Sequence, residues 1–219
     1  MKYLLILITA ILLVPASLFA QKSYSRVSIA YEVMAFHYDD GYAEDDIPKG
    51  LSLNYAHGFA LSASKPLSIE AGAKMAWTHL VHNKRPLDVW VMRMDFVDIS
   101  LPVDLTYKFS LFNDNIGLAP STGPNFRFNV IGRQKTTFHE LSKGREAEKF
   151  NFLARDEAYP AAIFQFGWRA GVAISHGPFS LGYNLTYDFT PYREVMIGSY
   201  GHLGDTKTAH HSLSVGYTF

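Results

Sequence analysis

The stretch that decides the fold is Ser212-Leu213-Ser214-Val215-Gly216-Tyr217-Thr218-Phe219. Apolar residues alternate with small or polar ones without interruption, the period-2 pattern of a strand whose two faces meet different surroundings. A second stretch repeats the pattern at greater length. Val97, Ile99, Leu101, Val103, Leu105, Tyr107 and Phe109 alternate with Asp98, Ser100, Pro102, Asp104, Thr106 and Lys108. A soluble core face has no need of seven successive apolar positions on one strand, whereas a lipid face roughly 25 Å tall does.

Working outward from these two, the same alternation defines six further strands. Tyr24 to His37 is the first, Leu51 to Leu61 the second and Ile69 to Trp77 the third, with the long stretch above as the fourth. Ile116 to Val130 is the fifth, with a break or bulge expected at Pro120-Ser121-Thr122-Gly123-Pro124. Ala162 to Ile174 is the sixth, Phe179 to Phe189 the seventh, and the terminal stretch the eighth. Tight turns fall at Ser64-Lys65-Pro66, Phe112-Asn113-Asp114-Asn115 and His176-Gly177-Pro178. Long connections fall at the acidic run Asp39 to Asp46, at His79 to Arg93, at Gly132 to Tyr159 and at Thr190 to Lys207. Short and long connections alternate, so all the turns gather at one end of a barrel and all the loops at the other. Within the longest loop, Thr137-Phe138-His139-Glu140 has the form of a capping box and predicts a short helix.

At its last residues the chain resembles the small outer-membrane β-barrels of Gram-negative bacteria, whose final strand commonly ends in Phe. Asp98-Ile99-Ser100-Leu101-Pro102-Val103, followed by Tyr107-Lys108-Phe109, is similar to the fourth strand of porin-like outer-membrane barrel families. The resemblance implies an eight-stranded antiparallel up-and-down transmembrane β-barrel in the cell outer membrane. It also implies that Tyr217 and Phe219 are read by the barrel-assembly machinery. The partners expected are outer-membrane lipid, lipopolysaccharide and that machinery during biogenesis, with the protein a monomer.

Residues 1–20 combine Lys2, an apolar run from Leu4 to Val14 and a small residue, Ala20, before Gln21, the pattern of a secretory signal peptide. Residues 21–219 then form one barrel domain. The chain has no cysteine, which excludes disulfides, thiolate nucleophiles and Cys-ligated zinc. Lys plus Arg and Asp plus Glu each total 20, so no net positive charge points to nucleic acid.

Parity places Glu32, Glu70, Asp98, Asp104 and Asp188 on the inward face, with Lys74, Lys108, Arg127 and Arg169. Eight strands enclose a lumen just wide enough for side chains to fill, so these charges are expected to pair in a plugged interior. If residue numbers of the fourth and fifth strands sum near 225, Asp98 lies opposite Arg127. Aromatic girdles are expected from Tyr24, Phe109, Phe179 and Phe219 at the turn end, and from Trp77, Trp90, Tyr187, Phe189 and Tyr192 at the loop end. His37, His210 and His211 meet where the first and last strands close, yet no ligand-spaced acid accompanies them, so they read as solvated loop-end residues and no metal or cofactor is expected. His211-Ser212 is no catalytic pair, because adjacent strand residues point to opposite faces. The function expected is non-enzymatic, a structural or surface-interaction role carried by the extracellular loops. Two alternatives are a soluble exported barrel with an apolar ligand inside and a lipid A-modifying outer-membrane enzyme.

Overall fold

A computed structural model describes residues 23–37, 47–61, 66–82, 90–111, 116–138, 147–151, 162–194 and 205–219. The expected signal peptide and the acidic run Asp39 to Asp46 lie outside the described residues. The elements are β1 (Ser23–His37), β2 (Lys49–Ala60), β3 (Leu67–His82), β4 (Trp90–Tyr107), β5 (Phe109–Leu111), β6 (Ile116–Phe138), β7 (Ala147–Asn151), β8 (Phe164–His176), β9 (Phe179–Asp188), β10 (Arg193–Glu194) and β11 (Asp205–Thr218). The path β1-β2-β3-β4-β6-β8-β9-β11 closes on itself when β11 pairs with β1, all antiparallel. The chain is therefore a closed eight-stranded up-and-down barrel, with β5 continuing the fourth stave and β7 and β10 lying above the wall.

The apolar faces point outward. Ile29, Leu53, Met75, Ile99, Leu181 and Val215 are all exposed, while Glu32, Glu70, Asp98, Arg127 and Asp188 are buried in the lumen. This inverts a soluble barrel and is the arrangement of a transmembrane one, since unpaired charge is costly in hydrocarbon and an apolar belt is costly in water. A soluble barrel with an apolar lumen is overturned by the same observation. Girdle aromatics Phe109, Phe179, Phe219, Trp77, Tyr187 and Phe189 are exposed as expected.

Several strands are longer than the alternation suggests. β3 runs to His82 and β4 starts at Trp90, so much of the connection expected over His79 to Arg93 is ladder. β6 continues to Phe138 and pairs with β7, so Thr137 and Phe138 are strand and no helix starts there; His139 and Glu140 lie outside the described residues. β10 pairs with the start of β11 at Asp205 and Thr206, inside the connection expected over Thr190 to Lys207. In each case cross-strand pairing supplies backbone partners that a single-sequence reading of polar residues cannot anticipate.

No bulge falls at Pro120 to Pro124 and β6 runs through it as one strand, but its ladder to β4 is interrupted at Gly123 and Pro124, inside the expected stretch. The register shift falls higher, where Val97 pairs with Ile131 but Asp98 with Asn129, leaving Val130 as the extra residue. The prolines interrupt ladders without shifting their register. Ladder rungs are missing between Ala71↔Val103 and Lys74↔Ser100, around Pro102, and between Pro102↔Asn125 and Leu105↔Thr122, around Pro124. Neither proline has an N–H to donate. At the turn joining β8 and β9, Gly177 has φ 56°, a left-handed conformation that only glycine adopts without steric cost.

Candidate functional site: a filled lumen and a charged outer rim

The inward residues stack in three layers. At the turn end, Arg26 Nη2 donates to Glu70 Oε2 at 2.7 Å, and the Tyr24 hydroxyl donates to Glu70 Oε1 and lies 3.2 Å from Ser68 Oγ. Lys108 Nζ sits 3.2 Å from the centroid of the Tyr24 ring, a cation–π contact. Gly58 permits this, because a Cβ at that position would collide with the Tyr24 ring. Tyr24 therefore belongs to the lumen floor and not to the girdle. Arg26 escapes the sequence reading because it precedes the clear alternation, although its even number places it with Ser28 and Glu32.

Above the floor is a polar cavity lined by Arg26, Ser28, Asn54, Glu70, Arg169 and Asn184. Arg169 Nε donates to Asn184 Oδ1 at 3.1 Å and lies 3.5 Å from Asp104 Oδ2. Among the described residues, Asp104 Oδ1, Thr106 Oγ1 and Asn125 Nδ2 find no protein partner.

The middle layer holds most of the charge. Lys74 Nζ donates to Glu32 Oε2 at 3.1 Å, and Ser52 Oγ to Glu32 Oε1 at 2.6 Å. Arg127, 1% exposed, donates from Nη1 to Asp188 Oδ2 at 2.9 Å, and its Nε lies 3.6 Å from Asp98 Oδ1. Thr208 Oγ1 donates to Asp188 Oδ2 at 2.7 Å, while Gln165 Nε2 donates to Thr208 Oγ1 and Asn129 Nδ2 to Gln165 Oε1. The Asp98 to Arg127 contact is diagonal. β4 and β6 register sums to 227 below the bulge, so Arg127 stands opposite Ser100 and Asp98 opposite Asn129. The turn geometry, not the alternation, sets that offset of two.

His210 corrects the solvated reading. It is buried, with Nε2 3.6 Å from Asp188 Oδ2. His211, its neighbour, points outward with Nδ1 2.7 Å from the Tyr183 hydroxyl. The register pairs Met34 with His210 and His37 with Lys207, which sets His37 three rungs from His210 along the ladder; no metal-ligating cluster occurs among the described residues.

The loop end of the lumen is apolar. Met34, Leu80, Phe96 and Tyr192 pack together, with Phe36 and Met94 against them. Ring centroids of Phe36, Phe96 and Tyr192 are 5.9 to 6.3 Å apart. Tyr192 thus leaves the expected girdle for the interior. The segment before it is strapped to β8: Thr190 Oγ1 accepts the Phe166 N–H, Gln165 Nε2 donates to the Thr190 carbonyl, and the Ala162 N–H donates to the Tyr192 carbonyl. Even parity at Met34, Leu80 and Phe96 is the signal that could reveal this cork, since each is apolar on an otherwise polar face. The side chain of Trp90 lies outside the described residues.

On the outer wall, His79 Nδ1 lies 2.8 Å from Asp95 Oδ1, the geometry of a base held by an acid. The outward residues in register beside them are Lys49 and Arg133, and Trp77 and Val97 lie below. None of these four offers a hydroxyl or thiol, so the dyad has no nucleophile among them to activate. At the carboxyl end, Phe219 exchanges backbone hydrogen bonds with Ser25, and Tyr217 pairs with Val27 and Phe179.

Comparison with known proteins gives structures only; no family model and no curated protein sequence matches this chain. The attachment invasion locus protein Ail of Yersinia pestis, solved with the heparin analogue sucrose octasulfate, is similar at 18% identity over 91% of this chain and 100% of that one, with a TM-score of 0.49. The outer membrane protein OprG of Pseudomonas aeruginosa is similar at 10% identity over 90% and 95% of the two chains, with a TM-score of 0.46. The outer membrane enzyme PagL is similar at 12% identity over 87% and 98%, with a TM-score of 0.42. Likenesses at this level carry no argument about activity, partner or ligand.

Proposed function

We propose that this chain is an integral outer-membrane barrel with a sealed lumen, and that its role is a non-enzymatic surface interaction on the loop side. The observation that carries the reading is the continuous apolar belt around a side-chain-filled, charge-paired interior. Outward apolar residues on β4 run from Val97 to Tyr107, and 9–11 tilted residues suffice to cross a bilayer. β4 and β6, at 18 and 23 residues, extend well past that span. Their upper parts, with β7, form a three-stranded platform beyond the belt, a rigid base for the long third loop. The His79–Asp95 dyad has no hydroxyl or thiol among its four in-register neighbours, which favours the non-enzymatic reading over lipid modification.

Membrane fractionation tests this directly. The full chain should resist carbonate extraction and migrate faster in SDS before boiling than after, as folded barrels do. Planar bilayers holding it should show no steady ion conductance, and the lipid A mass profile of a strain lacking the gene should match its parent. Release by carbonate would sink the membrane reading, and an altered lipid A profile would reinstate the enzyme.

A further inference from the structure

Two rows of side chains on the outer wall sit immediately above the apolar belt. In the belt's uppermost row, Leu51, Trp77, Val97 and Ile131 are neighbours across β2, β3, β4 and β6. The next row up is Lys49, His79, Asp95 and Arg133, paired in that order. Above it, Arg93 stands directly opposite Lys135, and Lys149 of β7 occupies the register position opposite Lys135 in turn. Lys49, Arg93, Arg133 and Lys135 are exposed, and His79 and Asp95 are partly so. Among the described residues, Asp95 is the one acid in these two rows.

Like charges placed directly opposite on neighbouring strands repel, and a sheet normally avoids them. Here Arg93 and Lys135 stand directly opposite one another, with nothing acidic between them. An anion bridging the row converts that repulsion into charge-assisted hydrogen bonds, with Arg93 and Arg133 supplying the forked donors that fit phosphate oxygens. The place also selects the source of the anion. Trp77, with its ring stacked 6.2 Å from His79, marks the boundary where hydrocarbon gives way to headgroups.

We propose that Lys49, Arg93, Arg133 and Lys135 form a binding site for the phosphate groups of lipid in the loop-side leaflet, with the acyl chains lying on Leu51, Trp77 and Val97. The site rests on the membrane-embedded reading above. It fastens one arc of the barrel, β2 to β6, to phosphorylated lipid and so sets the depth of the platform.

Trp77 supplies the reporter. The full chain carrying Trp90→Phe and Trp168→Phe is refolded into phosphatidylcholine vesicles doped with brominated phosphatidic acid or, at equal mole fraction, brominated phosphatidylcholine. Quenching of Trp77 should be greater with phosphatidic acid. The preference should fall about tenfold, to near unity, when Arg93→Gln and Lys135→Gln are added, and it should weaken as salt rises. Heat-modifiable gel mobility confirms that the variant is folded. Equal quenching by the two lipids, or a preference that survives the double substitution, overturns the site while leaving the barrel in the membrane. A preference abolished by millimolar inorganic phosphate assigns the patch to a soluble anion and overturns the lipid. No quenching by either lipid, with no heat-modifiable band, overturns the membrane reading as well.

Discussion

The middle and the loop end of the lumen occupy the same barrel, a few rungs apart, and are filled by opposite chemistry. In the middle, Arg127 holds Asp188 and Asp98 while Lys74 holds Glu32, and Glu32 and Asp188 each accept a further hydroxyl. At the loop end, Met34, Leu80, Phe96 and Tyr192 pack as an apolar cluster instead. Being inside this barrel therefore does not by itself demand polarity. Parity decides which residues point in; position along the axis decides what they must satisfy. The middle lies level with the hydrocarbon belt, where buried charges must be paired internally. The cork lies where the lumen meets water, and an apolar plug keeps that water from competing for the ion pairs below.

The largest effect is expected at Arg127. Arg127→Met leaves Asp98 and Asp188 buried without their cation, and should cost about 3–5 kcal/mol in reversible urea unfolding from lipid vesicles. If the loss is under about 1 kcal/mol, the middle layer is not held by ion pairing. Phe96→Ala opens a cavity in the cork and should cost about 3 kcal/mol by the same measurement. It should leave ion conductance in planar bilayers near zero, because the charged layer beneath still fills the lumen. Conductance from this variant alone would make the cork the barrier and the ion layer porous. The smallest effect sharpens the account of Glu32: Ser52→Ala removes one donor to a carboxylate and should cost about 2 kcal/mol. A neutral result would mean that Lys74 and Ser212, which also donates to Glu32, satisfy it without Ser52.

Much of this architecture is legible in the amino-acid sequence. Strict alternation from Val97 to Phe109 and from Leu213 to Phe219 identifies staves with one apolar face, and parity places Glu32, Lys74, Asp98, Arg127 and Asp188 inward. Less legible are the strand ends. Polar residues such as Arg93, Arg133 and Lys135 read as loop because sequence shows hydrophilicity and not the partner strand that takes the backbone hydrogen bonds. Tyr24 and Tyr192 depart from the expected girdles for a related reason. An aromatic at a strand end suits a girdle, and only the space left by Gly58 or the strap through Thr190 turns it inward.

The number of staves, their two faces and the set of charges that share the interior all follow from the alternation of residues, because side-chain direction in a strand has a fixed period of two residues. Tertiary structure alone decided which charges touch, that Tyr192 closes the lumen and that Arg93 faces Lys135. Those contacts depend on the stagger between strands, and a shift of two residues, such as separates the expected sum of 225 from the observed 227, keeps every residue on its face while changing every partner it meets.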